Sequence, residues 1–389
     1  MVLSDSDDEK WIYREHTAAK HEVYQKYLTP WTYKLSSWND KLRVIDCFAG
    51  RGSYVRAEDC SGAQLEEISA PTELPGSPQI ILDRLTKHSD KFEEAEAIFI
   101  EANEENYDEL DENISETAGI ADNISVNPIQ GEFQDKVLDL VTTDGSDCPT
   151  LFFIDPFGFK SLDYDVVTEI GSTDQFEILI TFMSRDINRF LENEDHRDAL
   201  ETTFGTPDFI DEVGDLDPEN WEPLVEYYTD RIEGTGPEMT FEYLITEPET
   251  RQTVYYLVFG TNHPNGLKTM RDVMNICGTG NFGYAPKIPE HDRKQSGLSA
   301  FTTGLAATKE FLVNTFSQYR IEFRNMVEMC YKMRKYEDDV ESDYRKAIQE
   351  LESEGQVEVI RRASKTGGTG VGKGDLIDFR DDDDLEDIG

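Results

Sequence analysis

The sequence predicts an α/β, Rossmann-like fold: a mostly parallel sheet with helices on both faces and a terminal antiparallel strand, followed by a C-terminal winged helix. Three observations carry this. Apolar strand-like segments alternate with helical ones between residues 42 and 182, the pattern of a parallel sheet covered on both sides. Two of these segments, Val44-Ile45-Asp46 and Leu151-Phe152-Phe153-Ile154-Asp155, stop at a carboxylate followed by a glycine-bearing turn. Open α/β sheets bind ligands at such strand tips. Finally, Thr240 to Thr246 and Thr253 to Thr261 flank Glu247-Pro248-Glu249-Thr250, a hairpin spacing that makes one strand run antiparallel.

Taken in order, residues 11–38 read as a helix. Trp11, Tyr24, Tyr27, Leu28 and Trp31 form its apolar stripe, and Pro30 kinks or interrupts it. Leu42 to Asp46 is a strand running into Cys47-Phe48-Ala49-Gly50-Arg51-Gly52. Residues 54–76 are loop-like and end in Pro75-Gly76-Ser77-Pro78, where Ser77 as N-cap and Pro78 at the first helical position start a helix to about His88. Strands at 97–101, 124–129, 150–154 and 177–182 then alternate with helices at 104–116, 134–143 and 163–171, and the hairpin is followed by a helix over 267–277. Helices near 307–317, 324–334 and 339–354 precede Gln356 to Arg361, a glycine-rich turn and Asp375 to Phe379, which describes three helices and a two-stranded wing. The implied organisation is an N-terminal helical segment (1–40), the main domain (41–280), a linker rich in Gly and Pro (281–305), a winged-helix-like domain (306–380) and an acidic disordered tail (381–389).

Composition narrows the class. The chain has 81 acidic and 37 basic residues, a net charge of −44, and is 38% hydrophobic and 11% aromatic. Such aromatic, periodic segments argue against disorder, so the charge reads as a solvated acidic coat. That suits a cytoplasm at molar salt, where repulsion is screened within ~3 Å, and points to a halophile. It weakens any simple claim of nucleic-acid binding without excluding a locally basic face. No apolar run approaches the ~18 residues of a membrane span, and Met1 to Lys10 is acidic and polar, unlike a signal peptide. A soluble cytoplasmic protein is expected, with no membrane contact. Cys47, Cys60, Cys148, Cys277 and Cys330 are scattered. They suit buried free thiols, not a disulfide framework or a metal site.

Three constellations carry chemistry. In Asp46-Cys47-Phe48-Ala49-Gly50-Arg51-Gly52 a strand stops and two glycines let the backbone turn beside a ligand; a tight turn with no ligand is the plainer alternative. In Phe99-Ile100-Glu101 an apolar strand ends in a carboxylate suited to ribose hydroxyls, set against a solvated surface Glu. In Asp155-Pro156-Phe157-Gly158-Phe159 the carboxylate can accept a hydrogen bond from an amine being methylated, and an aromatic can stack on a base. The competing reading is a capping Asp and a core Phe. One decoy, Gly367-Gly368-Thr369-Gly370-Val371-Gly372-Lys373, fits a phosphate loop in spacing only, because Gly374 follows the lysine and no helix follows.

Asp-x-Phe-Ala-Gly-x-Gly and Asp-Pro-Phe-Gly resemble motifs I and IV of S-adenosylmethionine-dependent amino-methyltransferases. The chain as a whole resembles the three-Cys-motif partner protein (TcmP) family, over roughly residues 11–380. The resemblance rests on Lys20-His21, Tyr27-Leu28 and Trp31, Asp46-Cys47-Phe48-Ala49-Gly50, Gly76-Ser77-Pro78 and Phe99-Ile100-Glu101. It continues through Phe153-Ile154-Asp155-Pro156-Phe157-Gly158, Phe182-Met183, Asn188-Arg189-Phe190 and Asn262-His263-Pro264. It implies a class I methyltransferase sheet and S-adenosylmethionine held by Asp46, Phe48, Gly50, Gly52 and Glu101. It also implies a catalytic segment Asp155, Pro156 and Phe157, and a partner: a three-Cys-motif protein similar to radical-S-adenosylmethionine enzymes. Nucleic acid is a candidate acceptor, although Phe157 and Gly158 stand where adenine-specific enzymes carry Pro-Tyr. Lys20, His21, Arg185, Arg189 and His263 are candidate substrate contacts. Arg185 and Arg189 share a helical face and could clamp a phosphate or carboxylate, with intramolecular salt bridges as the alternative. The acidic third helix of the winged unit, around Val340 to Glu354, suits a protein contact or plain packing better than a DNA groove. The rival to methyl transfer is a non-catalytic module that binds a nucleotide-type ligand and docks another enzyme.

Overall fold

The computed structural model describes residues 12–56, 73–143, 148–191, 193–213, 222–246, 253–277, 283–285, 300–333, 339–362 and 370–379. The chain divides into two compact units, Met1–Ala285 and Pro286–Gly389. In the first, β1 (Ile12–Tyr13), α1 (Glu15–Leu35), β2 (Lys41–Asp46), β3 (Ser53–Arg56), β4 (Glu73–Pro75) and α2 (Ser77–Lys87) come in order. They are followed by β5 (Glu94–Glu101), α3 (Glu104–Ser115), β6 (Ile124–Gln130), α4 (Phe133–Thr143), β7 (Thr150–Ile154), α5 (Tyr164–Gly171) and β8 (Phe176–Phe182). Four helices come next: α6 (Ser184–Phe190), α7 (Arg197–Phe204), α8 (Phe209–Val213) and α9 (Glu222–Thr235). The hairpin β9 (Met239–Thr246) and β10 (Thr253–Thr261), then α10 (Pro264–Cys277) and β11 (Gly283–Ala285), complete the unit.

The main sheet has the order β6-β5-β2-β7-β8-β10-β9-β11. Strands β6 through β8 are parallel, whereas β10 runs antiparallel to both β8 and β9. An antiparallel strand inserted between two parallel neighbours at this end is the arrangement of Rossmann-like methyltransferase folds. The central strands β7 and β8 are buried at every position, so they read as continuous apolar runs. Alternation sends Ile45, Phe152, Ile154, Ile178, Ile180 and Phe182 into one core layer with Val166, Val167, Leu224 and Tyr228 of α5 and α9. The intervening residues face α1. Tyr24 stacks on Phe153 with ring centroids 4.0 Å apart, Tyr27 packs 5.4 Å from Phe259, and the Tyr27 hydroxyl donates to Glu177 at 2.7 Å. Glu177 lies at the start of β8 and Phe153 near the end of β7, so α1 crosses the sheet from its carboxyl edge to its amino edge.

Several sequence expectations are corrected. Helix α1 starts at Glu15 because Ile12–Tyr13 pairs in parallel with β3 in a small sheet of order β1-β3-β4. Pro30 lies inside α1 without ending it. The segment expected to be loop supplies β3 and β4. Gly76, not Ser77, is the N-cap of α2. Gly283–Ala285, expected in the linker, adds a strand to β9. The start of the chain, most of the linker, the hairpin turn at 247–250, the wing tip at 363–369 and the tail at 381–389 lie outside the described residues.

The second unit contains α11 (Ala300–Phe316), β12 (Arg320–Glu322), α12 (Phe323–Met333), α13 (Glu341–Ser353), β13 (Glu358–Ile360) and β14 (Leu376–Asp378). Its sheet is antiparallel, β12-β14-β13. Strand β12 is an addition to the expected two-stranded wing. Leu312, Phe316, Met326, Tyr344, Leu351 and Ile377 are buried in this unit.

Among the described residues no helix is long and apolar enough to cross a membrane, and Cys47, Cys148, Cys277 and Cys330 are buried free thiols. The net charge of −44 sets one expectation for stability. Unscreened carboxylates repel in dilute buffer, so the melting temperature rises steadily with KCl toward molar concentrations. A melting temperature flat across that series would remove the salt-adaptation argument.

Candidate active site at the carboxyl edge of the sheet

The turn after β2 is tied to both neighbouring strands: Cys47 N–H donates to Phe153 O and Ala49 N–H to Ile100 O, each at 2.9 Å. Gly50 (φ 60°) and Gly52 (φ 83°) are left-handed, the region glycine enters without penalty. A second glycine motif supports this turn. Gly76 N–H donates to Gly52 O at 2.9 Å and to Gln79 Oε1 at 3.1 Å. A Cβ on Gly76 would lie 2.3 Å from Gly52 O, so two backbones cross there in contact. In the sequence Gly76-Ser77-Pro78 is legible only as a helix start and a resemblance motif. Its packing role appears once the loop closes.

Asp46 is buried at the end of β2. Its Oδ1 accepts the Phe48 N–H at 3.2 Å, and Oδ2 has no hydrogen-bond partner of good geometry. Burial pushes the carboxyl up to about 6, against the opposing pull of the Ser77 hydroxyl and the Phe48 N–H. The folded pKa therefore lies above the unfolded one. This group's contribution is most favourable below about pH 4 and is lost as pH rises through about 6, by on the order of 1 kcal/mol per unit. In the difference between Asp46→Asn and wild type, the variant gains stability relative to wild type as pH rises from about 4 to about 6. Chemical denaturation across that window checks this, and parallel curves would refute the burial assignment. Phe48 serves the site through its backbone, since its ring packs on Phe133 at 5.1 Å. Glu101 ends β5 almost buried, with Oε1 accepting the Asn103 N–H at 2.8 Å.

Asp155 follows β7, which neighbours β2. Its Oδ2 accepts a hydrogen bond from the Lys20 ammonium of α1. Lys20 is buried and the Asp155 side chain is 21% exposed. Beside Lys20, His21 sits among the rings of Tyr13, Tyr54 and Tyr24 at 5.6, 5.7 and 6.1 Å. Burial drives its pKa down to about 3, with Lys20 adding to the effect, so the imidazole is neutral. Burial lowers His16 as well, assisted by Lys20, Arg14 and Arg185. Five buried polar atoms gather on this α1-facing side without hydrogen-bond partners: His21 Nδ1, Tyr24 Oη, Asp46 Oδ2, Thr181 Oγ1 and Ser184 Oγ. Buried polar groups are rarely left unpaired; Trp31 Nε1 and Thr32 Oγ1 of α1 and Tyr228 Oη of α9 are unpartnered as well.

The two aromatics after Asp155 separate cleanly. Pro156 is buried and Phe157 is 58% exposed, whereas Phe159 is 3% exposed and packs against Phe190 and His196. Arg185 and Arg189 are exposed on α6, which follows β8, the strand next to β7. His263 is elsewhere. It follows β10 beside Thr261, whose hydroxyl bonds Glu177 at the start of β8, so it lies at the amino edge of the parallel strands. A histidine that caps a turn there cannot reach the group around Asp155. The structure thus brings Lys20 to Asp155 with His21 next to it, places Arg185 and Arg189 on the helix after the neighbouring strand, and leaves His263 out. Lys20 and Asp155 are 135 positions apart, and nothing in the sequence pairs them.

No protein-family model matches the chain, and no curated protein matches it either. Solved structures similar to it include a protein of Legionella pneumophila, with 12% identity over 68% of this chain and 92% of that one and a TM-score of 0.42. Another is TYW2 of M. jannaschii in complex with AdoMet, with 14% identity, 64% and 76% coverage and a TM-score of 0.31. A third is Trm1 of Pyrococcus horikoshii with S-adenosyl-L-methionine, with 10% identity, 69% and 62% coverage and a TM-score of 0.36. The strand order of the chain itself carries the fold assignment.

Proposed function

We propose that the protein is an S-adenosylmethionine-dependent methyltransferase acting on an amino nitrogen. The observation that carries this reading is the gathering of a glycine turn, three strand-end carboxylates and unpartnered buried polar atoms on one sheet edge. The residues fit the cofactor. Asp46 Oδ2, a buried acceptor with no hydrogen-bond partner of good geometry, suits an ammonium or hydroxyl hydrogen. Glu101 at the second strand end suits the ribose diol. Gly50 and Gly52 leave the backbone bare beside them. Bound there, S-adenosylmethionine supplies an electrophilic methyl group on a sulfonium.

The chain's own residues then act on the acceptor. Lys20 holds Asp155 Oδ2 and fixes the carboxylate. The remaining lone pairs of Asp155 accept an N–H of the amine and turn its nitrogen lone pair toward the methyl donor, an orienting effect of several kcal/mol. Phe157 offers a stacking face. Asp155, Pro156 and Phe157 are the catalytic segment in this reading. We read the C-terminal unit as a winged helix used for a protein contact, and the chain as a soluble cytoplasmic protein of a halophilic archaeon. The resemblance to three-Cys-motif partner proteins assigns it a radical-S-adenosylmethionine-like partner.

The Lys20–Asp155 pair also favours a second reading, a ligand-binding docking module in which the ammonium has replaced the acceptor. The deciding experiment is transfer of labelled methyl from S-adenosylmethionine into host extract at high salt, with and without the three-Cys-motif partner. Incorporation that requires Asp155 supports catalysis. No incorporation under either condition, with S-adenosylhomocysteine still bound, supports the docking module.

A further inference from the structure

Helix α1 lays one face on the sheet, and Tyr24, Tyr27 and Trp31 lie buried along it at helical spacing. Lys20, one turn before Tyr24, continues that face. It is 8% exposed, the one buried lysine among the described residues. Other ion-paired lysines lie nearer solvent, such as Lys26 with Glu22, Lys41 with Glu94, Lys91 with Asp90 and Lys268 with Asp272. A buried lysine–aspartate pair contributes little to stability, since an apolar side chain in the same place packs without desolvating a charge. The position of Lys20 points instead to a use for its amine.

Lys20 Nζ donates to Asp155 Oδ2 just beyond the end of β7, and its charge also acts on Asp46 at the end of the neighbouring β2. Tyr24 stacks on Phe153 and pins the helix between these two strand ends; both carboxylates act on its hydroxyl. The turn after Asp46, which the methyltransferase reading gives to S-adenosylmethionine, is bonded to the same strand through Cys47 N–H and Phe153 O. On that reading, an amine already in contact with Asp155 belongs to the chain itself. An amine held on a helix needs no encounter with its reaction partner. Groups fixed in this way react with effective molarities of about 10⁵–10⁸ M when they are well oriented.

We propose that Lys20 Nζ is a self-methylation site, modified in cis by S-adenosylmethionine bound over Gly50 to Gly52. The inference rests on the methyltransferase reading and adds to it a second acceptor, a primary amine of the chain itself. In the step, one N–H proton passes from the ammonium to Asp155 Oδ2, and the freed lone pair of Nζ forms the new N–C bond. The C–S bond breaks with its electron pair going to sulfur, which leaves S-adenosylhomocysteine. The proton then leaves Asp155, whose side chain is 21% exposed, for solvent. A lysine ammonium has three N–H donors. A monomethylated one keeps two, so the contact that fixes Asp155 survives and the site can still serve an external amine. A trimethylated nitrogen keeps none, so modification stops before that stage.

The test is intact-mass and peptide-mass analysis of the full chain incubated at high KCl with S-adenosylmethionine carrying a labelled methyl. The expected result is label on the peptide that contains Lys20, short of trimethylation, at a rate per chain that does not change with protein concentration. A methyl already on Lys20 in the purified protein, and absent from purified Gly50→Val, is the same result. Lys20→Arg keeps a cation for Asp155 but offers no ε-amine, so it loses the label while S-adenosylhomocysteine still binds. Lys20→Met does the same where the larger guanidinium disturbs the fold. A tagged Gly50→Val chain mixed with wild type stays unlabelled, because its Lys20 is buried within its own fold. One readout is independent of turnover. In the S-adenosylhomocysteine complex, Lys20 Nζ lies within roughly 5 Å of the sulfur, the reach of one methyl plus a near-attack gap of about 3–3.5 Å.

The proposal is overturned if Lys20 stays unmodified at saturating donor although S-adenosylhomocysteine binds, or if the label sits only on another residue. Labelling of the tagged Gly50→Val chain, or an Nζ that points away from the sulfur, overturns it as well. Calorimetry with S-adenosylhomocysteine separates the two claims. Binding and Asp155-dependent transfer to host extract, with Lys20 unmodified, refute self-methylation alone. No binding refutes both. A methylated Lys20 with no transfer to extract leaves self-methylation standing and refutes the external acceptor.

Discussion

Asp155→Ala removes methyl transfer by about 10²-fold or more while S-adenosylhomocysteine binds as before, because the side chain orients the acceptor and lies apart from the glycine turn. Asp155→Asn is milder, since an amide oxygen still accepts an N–H. The Lys20 contact adds a second consequence. Asp155→Ala strands a buried ammonium. Stranding one partner of a fully buried pair costs about 3–5 kcal/mol; Asp155 is 21% exposed, so solvent lowers the cost here to roughly 1–3 kcal/mol. Lys20→Met in the Asp155→Ala background restores that stability without restoring turnover. Thermal melts and labelled-methyl assays on the four proteins of this cycle separate the two roles. Turnover by Asp155→Ala equal to wild type would sink the catalytic assignment.

The second large effect is expected at Gly76, which touches no ligand. A Cβ there would lie 2.3 Å from Gly52 O, closer than any real Cβ contact, and the neighbour is backbone that cannot swing aside. Gly76→Ala therefore drives the Gly50–Gly52 turn out of position, and calorimetry shows S-adenosylhomocysteine affinity falling by about 10²-fold or more. Gly50→Val, at φ 60°, has the same outcome through a β-branched residue in a left-handed position. The control is Gly119→Ala. It carries comparable backbone strain at φ 80° but has nothing within 4 Å of its added Cβ, so it costs about 1–2 kcal/mol of stability and leaves affinity unchanged. Wild-type affinity in Gly76→Ala would mean that the ligand does not use this turn.

The main sheet is legible in the sequence because its strands are short apolar runs that end in a carboxylate or a turn residue. Thr150–Ile154 and Thr253–Thr261 appear in the structure with the expected bounds. Local patterning also gives the positions of Asp46, Glu101 and Asp155, since a strand end is a local property. Pairings over long sequence distance are not legible. Lys20 with Asp155, Gly76 with Gly52 and β1 with β3 depend on how the chain closes, and no periodicity encodes them. Strands of three residues or fewer, such as β11, carry too few residues to display alternation, and β11 reads as linker. The helices α6 to α8 show little pattern because they are short and bounded by acidic loops, with only the shared face of Arg185 and Arg189 readable; α9, 14 residues long, carries a readable apolar stripe of Leu224, Val225, Tyr228 and Ile232. His263 falls among the candidate contacts because it lies in a resemblance motif. Motif membership does not say which edge of a sheet a residue occupies, and the antiparallel direction of β10 carries His263 to the far edge.

The most direct test of the central claim is a crystal structure of the full chain with S-adenosylhomocysteine at high salt. The expected result is one molecule at the carboxyl edge of β2, β5 and β7, its backbone-side contacts over Gly50 to Gly52, its ribose hydroxyls on Glu101, and its sulfur facing Asp155. Density for the ligand at any other place on the chain, or none at saturating concentration, would contradict it.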